Sequence, residues 1–177
     1  MSRYITLLLF IGLAWGQNEY NIKHIVDQDS VYKKKFSDEI VNGNIYQMTD
    51  DMKIPLGKMK NGKKDGLWTE WYPNKRKLEE TYRHGMLDGS VSLYYKTGQK
   101  EWRHTYNNGQ FEGLWTYWYE NGQKMREGNF MCGDSIGKWI WWDKNGRVEK
   151  EKKYKNRKNA IWENYNEYVL IEVVTEP

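Results

Sequence analysis

Gly113-Leu114-Trp115-Thr116-Tyr117-Trp118-Tyr119-Glu120-Asn121-Gly122 sets two tryptophans three residues apart behind a glycine and ends on Asn-Gly. Three other segments superpose on it: Gly66-Leu-Trp68-Thr-Glu-Trp71-Tyr72-Pro-Asn74, Gly89-Ser-Val91-Ser-Leu-Tyr94-Tyr95-Lys-Thr97-Gly98 and Gly137-Lys-Trp139-Ile-Trp-Trp142-Asp143-Lys-Asn145-Gly146. The leading glycines step by 23, 24 and 24 residues. A second marker keeps the same phase. Tyr82, Tyr106, Phe130 and Tyr154 step by 24, and Gly62, Gly85, Gly109 and Gly133 by 23, 24 and 24. A fixed period of this length is the signature of a repeat architecture. Weaker copies flank the array, Gly43-Asn-Ile45-Tyr-Gln-Met48 before it and Ala160-Ile-Trp162-Glu-Asn-Tyr165 after it. Degenerate end copies are what the terminal caps of a stacked array look like.

Each unit holds an aromatic stretch, a turn, a charged stretch and a second turn. Asn-Gly at 121–122 and 145–146 predicts two-residue hairpin turns of type I′, in which both central residues need positive φ. Asn61-Gly62 and Asn108-Gly109 give the same signal at the second turn. Pro73-Asn74 suits a turn because proline pre-sets φ. Tight connections between short strands require antiparallel neighbours. The fold class expected is therefore all-β: a repeat array of antiparallel β-hairpins, about 23–24 residues per unit, stacked into an elongated sheet. Equivalent residues would form two ladders: Trp68, Val91, Trp115, Trp139 and Trp162, and Trp71, Tyr94, Trp118, Trp142 and Tyr165. Residues three apart on a regular strand point to opposite faces. Either both faces carry rings, or a bulge re-aims one ladder.

Composition agrees with packing by rings. The 177 residues have a formal net charge of +4, 38% hydrophobic residues and 16% aromatic ones, with a mean hydropathy of −0.98. Disordered chains are poor in aromatics, and a polytopic membrane protein would be far more apolar. The charge is too small to indicate a nucleic-acid partner.

Met1–Gly16 reads as a secretory leader, with Arg3 as the positive start, an apolar run from Tyr4 to Leu13, and Ala14 and Gly16 as small residues before cleavage after Gly16. The run is too short to span a bilayer, and Cys132 is the one cysteine, so no intramolecular disulfide can form. The expectation is an exported protein, periplasmic or secreted. The chain then divides into the leader (1–16), a polar segment with a lead-in strand (17–42), the hairpin repeats (43–165) and a closing strand (166–177). The four clear copies occupy 66–159, with degenerate copies at 43–65 and 160–177. Within the second part, Gln17 to Ser30 reads as loose, and Val31 to Ile40 as a strand that joins the array before Gly43.

The unit Gly-Leu-Trp-Thr-x-Trp-Tyr-x-Asn-Gly-Gln-Lys, best seen at 113–124, resembles the MORN-repeat variant found in the YwqK family of toxin–antitoxin antitoxins. The stretch Val31-Tyr-Lys-Lys-Lys-Phe36-Ser-Asp-Glu-Ile40-Val-Asn-Gly43 is similar to the segment that opens many members. The resemblance covers roughly residues 31–165. It implies a scaffold that contacts proteins or lipids, and the antitoxin label implies neutralising a partner toxin by binding it. Lys75 stands in place of the turn glycine, Val91 in place of the first tryptophan and Asp143 in place of the tyrosine.

No constellation for catalysis emerges, and no cofactor or metal is expected. His84 and Cys132 each precede a turn glycine, in phase with Asn61 and Asn108, so the period accounts for both. A cysteine nucleophile needs a base and an orienting partner, and only His104 or His84 on adjacent units could serve. His104 lies where other copies have Glu80, Gly128 and Lys152, which predicts solvent exposure. Glu79-Glu80 reads as surface charge rather than a hydrolytic pair.

The reading is thus a non-enzymatic, exported module whose partner is another protein; the alternative is an envelope glycan or an anionic lipid. The candidate binding residues are the aromatic ladder Trp68, Trp71, Tyr94, Trp115, Trp118, Trp139 and Trp142. A second candidate is the basic group Lys150, Lys152, Lys153, Lys155, Arg157 and Lys158. Residues 144–158 carry eight basic side chains against two acidic ones, and 159–177 carry four glutamates and no base.

Overall fold

The computed structural model describes residues 18–155 and 171–174. The leader, the copy at 160–165, and Arg157 and Lys158 lie outside them. No helix among the described residues is long and apolar enough to cross a membrane.

Four short elements open the described chain: β1 (Glu19–Asn21), a 3-10 turn at Ile22–His24, β2 (Ile25–Gln28) and β3 (Val31–Lys34). The repeats follow as β4 (Gly43–Thr49), β5 (Met52–Lys60), β6 (Lys63–Trp71), β7 (Lys77–Arg83) and β8 (Met86–Tyr94). Next come β9 (Lys100–Asn107), β10 (Gln110–Phe111), β11 (Gly113–Trp118), β12 (Lys124–Met131), β13 (Asp134–Trp142) and β14 (Val148–Tyr154). A last strand, β15 (Ile171–Val174), pairs antiparallel with β14. From β4 onward, β10 apart, each strand lies beside the one before it, so consecutive hairpins build one long antiparallel meander. The β10–β11 break at Glu112 leaves both pieces paired with β9. The all-β hairpin array read from the period is the observed architecture.

Two kinds of turn alternate along it. Asn61-Gly62, His84-Gly85, Asn108-Gly109 and Cys132-Gly133 all have positive φ at both positions, as a type I′ turn requires. The turns at Asn121-Gly122 and Asn145-Gly146 differ from the expectation. Only the glycines there have positive φ, +85° and +82°. Gly122 N donates to Tyr119 O, and Tyr119 N donates to Gln123 O. This is a type I turn closed by a left-handed residue, the three-residue hairpin loop. Asn121 Oδ1 accepts from Gln123 N, so its value here is a side-chain bond rather than a positive φ. Lys75 takes the glycine's place in the first clear copy at φ +64°.

The uneven period has a structural cause. Leu93 pairs with Trp102 and Tyr94 with Lys100, leaving Glu101 as an extra residue. Met125 and Glu149 are the equivalent bulges at Tyr117/Trp118 and Trp141/Trp142. In the first clear copy Glu70 pairs with Leu78 and Trp71 with Lys77, with no residue skipped. Among the four clear copies, the one that steps by 23 is the one without the bulge.

The N-terminal segment departs from expectation. Gln17 to Ser30 is not loose where it is described: β1 pairs parallel with β4, and Ile25 is buried. Nor does Val31–Lys34 join the array; it pairs with β2 in a separate two-stranded sheet. That small sheet folds over one face of the first strands. Ile25 and Val41 meet Ile45, Met59 and Trp68 there, with Tyr20, Tyr32 and Tyr82 at the margin. The physical reason is apolar coverage: Ile45 and Met59 would otherwise face water on a single-layer sheet.

Candidate functional site

Trp68 and Trp71 sit on one continuous strand, an odd number of residues apart, so they project from opposite faces. Trp68 is 5% exposed and Trp71 is 55% exposed. Both faces therefore carry rings. The bulges lie in the facing strands, and their effect is to decide which charged residue stands opposite each ring.

On the first face, here the front, the rings interleave rather than stacking tryptophan on tryptophan. Trp115 meets Phe130 at 4.5 Å, Phe130 meets Trp139 at 5.2 Å, and Trp139 meets Tyr154 at 5.9 Å between ring centroids. The second periodic marker is thus the spacer of the first. Each tryptophan also leans back over the preceding strand. A side-chain carbon at Gly57 would lie 2.5 Å from the Trp68 ring, and one at Gly128 would lie 2.0 Å from the Trp139 ring. The indoles lie flat on glycine backbone. Trp68 Nε1 donates to Lys58 O at 3.0 Å.

His104 holds the same position under Trp115, which overturns its predicted exposure. It is 6% exposed, stacked 3.6 Å from Trp115 and 4.2 Å from Trp102. A flat ring does there what glycine does at 57 and 128: it offers a plane for the next indole. Burial, with the Arg126 charge adding to it, pushes its pKa down to about 4. The imidazole is a packing element, neutral at physiological pH.

The back face is built differently. Trp71 pairs with Lys77, Tyr94 with Lys100 and Trp118 with Lys124, and Met48 pairs with Lys53 in the weak first copy. The fifth place, opposite Trp142, is Val148. Lysines are interposed between the rings: Lys77 Nζ lies 4.2 Å from the Tyr94 ring centre and 5.9 Å from that of Trp71, and Lys124 Nζ lies 5.7 Å from that of Trp142. Such contacts are worth about 0.5–1 kcal/mol at exposed sites. Lys77 pairs with Glu79 and Lys124 with Glu127, each at 2.7 Å. Burial raises the Glu79 pKa, but hydrogen bonds from Lys77 and Tyr94 outweigh it and hold the carboxyl below its usual range. Desolvation and the bond to Glu79 push the Tyr94 phenol up to about 12. Where the neighbouring units place Glu79 and Glu127, the middle unit places Arg103, so Lys100 and Arg103 form a positive spot.

Two open clefts lie on this face. One, of about 650 Å³, is lined by Met52, Ile54, Pro55, Trp71, Lys77 and Glu79. The other, of about 290 Å³, is lined by Lys100, Arg103, Leu114, Thr116, Trp118 and Glu127. Leu67 and Leu114, the latter in the lining of the second cleft, are exposed. The tyrosine after the second ladder position ties units together: Tyr95 Oη donates to Trp118 O, and Tyr119 Oη to Trp142 O, each at 2.9 Å. Asp143, at the same position in the fourth copy, instead accepts from Asn145 N and Arg147 N of its own turn.

The candidate ladder residues thus divide. Trp68, Trp115 and Trp139 belong to the front packing, and Trp71, Tyr94, Trp118 and Trp142 to the back face. The basic group is split by strand alternation as well. Lys150 and Lys152 face the rings of Trp141 and Tyr154, at 5.4 and 4.6 Å, while Lys153 pairs with Lys138 and Lys155 is exposed beyond β14. Glu79 and Glu80 likewise part: Glu80 turns to Tyr82, which donates to it at 3.0 Å. A front-face hollow at Val91, which sequence reasoning did not single out, is lined by Leu78, Glu80, Leu87, Leu93, Trp102 and Tyr106. The signal for it was the substitution of valine for tryptophan within the period.

A family model described as MORN repeat variant matches residues 111–131 and 136–156. No curated protein matches the chain. The matched segments are the β10–β12 and β13–β14 units, where both tryptophans and the bulge are present. The chain is a β-hairpin repeat protein whose units over 111–156 match the MORN repeat variant, an architecture suited to a binding module.

Proposed function

We propose that this is a non-enzymatic, exported interaction module that binds another protein through the back face of the sheet. The observation that carries the reading is Trp71, more than half exposed on a rigid strand and lining an open cleft. Large rings held in place lose little entropy on binding, and such residues dominate binding energetics. Lys100 and Arg103 beside Trp118 supply a positive spot that favours an acidic partner surface. Export rests on the leader-like run before Gln17. Antitoxin-type neutralisation is one form such binding takes, and the sequence likeness of the 113–124 unit is its support.

A second reading has its own observation. The back-face rings, Trp71 exposed and Tyr94, Trp118 and Trp142 half-buried, recur every two strands, about 9.6 Å apart along the sheet, a regular row suited to an extended polymer such as an envelope glycan. One experiment separates the two. Mature protein (from Gln17) and its Trp71→Ala and Trp118→Ala variants are immobilised and exposed to envelope fractions. Recovery of a protein that both variants lose supports the first reading; recovery of sugar polymer or anionic lipid alone overturns it.

A further inference from the structure

The front face repeats one arrangement: an indole leaning on the strand before it. Trp68 lies on Gly57, Trp115 on His104 and Trp139 on Gly128. The second unit lacks the ring. Val91 stands there, directly opposite Glu80 on one side and His104 on the other. A cleft of about 540 Å³ opens beside it, with Val91 and Leu93 at its base 4% and 9% exposed. Its floor is apolar, formed by Leu78, Leu87, Val91 and Leu93, and Trp102 and Tyr106 wall it on the far side. Tyr72, Asn74 and Arg76 make a polar rim, with Arg76 held by Glu101. An apolar, preformed pocket inside a polar rim is the anatomy of a binding anchor site.

The neighbouring units show what this volume takes. We infer that the hollow at Val91 receives an indole-sized aromatic side chain presented by the partner protein, in the place that the chain's own tryptophan holds in the other units. The inference rests on the protein-partner reading and adds to it a second site, on the opposite face. Glu80, at the position glycine or histidine holds under the other indoles, takes Tyr82 Oη and Lys64 Nζ on its Oε2, which leaves its second oxygen as an acceptor for an indole N–H, as Lys58 O is for Trp68.

The test uses capped tripeptides, Gly-Trp-Gly against Gly-Leu-Gly, titrated into the full mature protein and followed by backbone amide NMR shifts. The tryptophan peptide should give saturable shifts around Leu87, Val91 and Leu93, none around Trp118, and bind about tenfold more tightly than the leucine peptide, since the ring adds area and stacking. Val91→Trp should fill the hollow, abolish those shifts and raise the melting midpoint. If that variant does not fold, Val91→Phe is the smaller plug with the same expected loss. Absence of shifts at the solubility limit, equal affinity for both peptides, or unchanged binding by a folded plugged variant would each overturn the inference. Those results leave the back-face reading intact, because it is judged by the Trp71 and Trp118 variants alone.

Discussion

On the front face Trp115 contacts His104, Phe111 and Phe130 within 4.5 Å between ring centres. Three residues on, Trp118 projects from the back face, pairs with Lys124, and lines an open cleft with Lys100 and Arg103. The same residue type in the same short motif packs among rings on one side and lines an open cleft on the other. What differs is the facing residue. The front tryptophans lean on Gly57, His104 and Gly128 of the preceding strand and interleave with the second aromatic marker; opposite Trp71, Tyr94 and Trp118 on the back stands lysine, which keeps the rings apart, and opposite Trp142 stands Val148. Beyond the first strands, which β2 and β3 cover, the sheet has no second layer to bury either face, so the front makes its core there from rings lying on rings and on bare backbone.

The difference is measurable. Trp115→Ala should cost about 3–5 kcal/mol, whereas Trp118→Ala should cost less, about 1–2 kcal/mol, because its ring lines an open cleft rather than packing among other rings and its carbonyl bond to Tyr95 survives. Paired urea melts of the two variants check this. Equal losses would dissolve the distinction between the faces.

Acid should weaken the front face selectively. The His104 pKa in the fold is about 4 against an ordinary 6.5, so the unfolded chain takes up a proton before the folded one does. Its neutral form therefore favours folding above pH 6.5, and that advantage falls away as pH drops from 6.5 towards 4. The full loss is at most about 3 kcal/mol, since the two indole faces also attract an imidazolium. Melting midpoints from pH 7 to 4 should fall more steeply for the wild type than for His104→Gln. Parallel profiles would show that the imidazole does not carry the effect.

The flat seat under Trp139 gives the next effect. Gly128→Ala puts a methyl where 2.0 Å separates it from the ring, so the indole must tilt off Phe130. The expected cost is about 1–3 kcal/mol, read as a lower urea midpoint with an unchanged slope. A neutral result would mean that the ring seats elsewhere.

How much of this was legible in the residues follows from what each signal depends on. The hairpin array was readable because Gly66, Gly89, Gly113 and Gly137 and the aromatic marker repeat in phase, and only a translationally repeated unit satisfies both. The turn at Asn121-Gly122 was misread because Asn-Gly suits two loop types, and the bulge at Met125 sets the loop length through a partner strand. His104 was misplaced because its position holds glutamate, glycine and lysine elsewhere; the rule it obeys concerns the next strand's tryptophan, a cross-strand relation invisible along the chain. The cover by β2 and β3 was missed for a similar reason. Ile22, Ile25 and Val26 are scattered through a polar stretch with no helical or strand period, and the burial of Ile25 depends on Ile45, Met59 and Trp68 needing a lid.

The smallest effect tests the back face on its own terms. Lys77 is ion-paired with Glu79 and sits between the Trp71 and Tyr94 rings. Lys77→Met keeps the length and apolar stem but removes the charge. An exposed cation–π contact and a surface ion pair together are worth about 1 kcal/mol, so the loss should be near that and should shrink in 1 M salt, where screening acts within about 3 Å. The Glu79 carboxyl should titrate at higher pH in the variant, because the bond that holds it down is gone. A loss as large as that of Trp115→Ala, insensitive to salt, would mean that the back-face row is a core in its own right and that its rings are held as tightly as those in front.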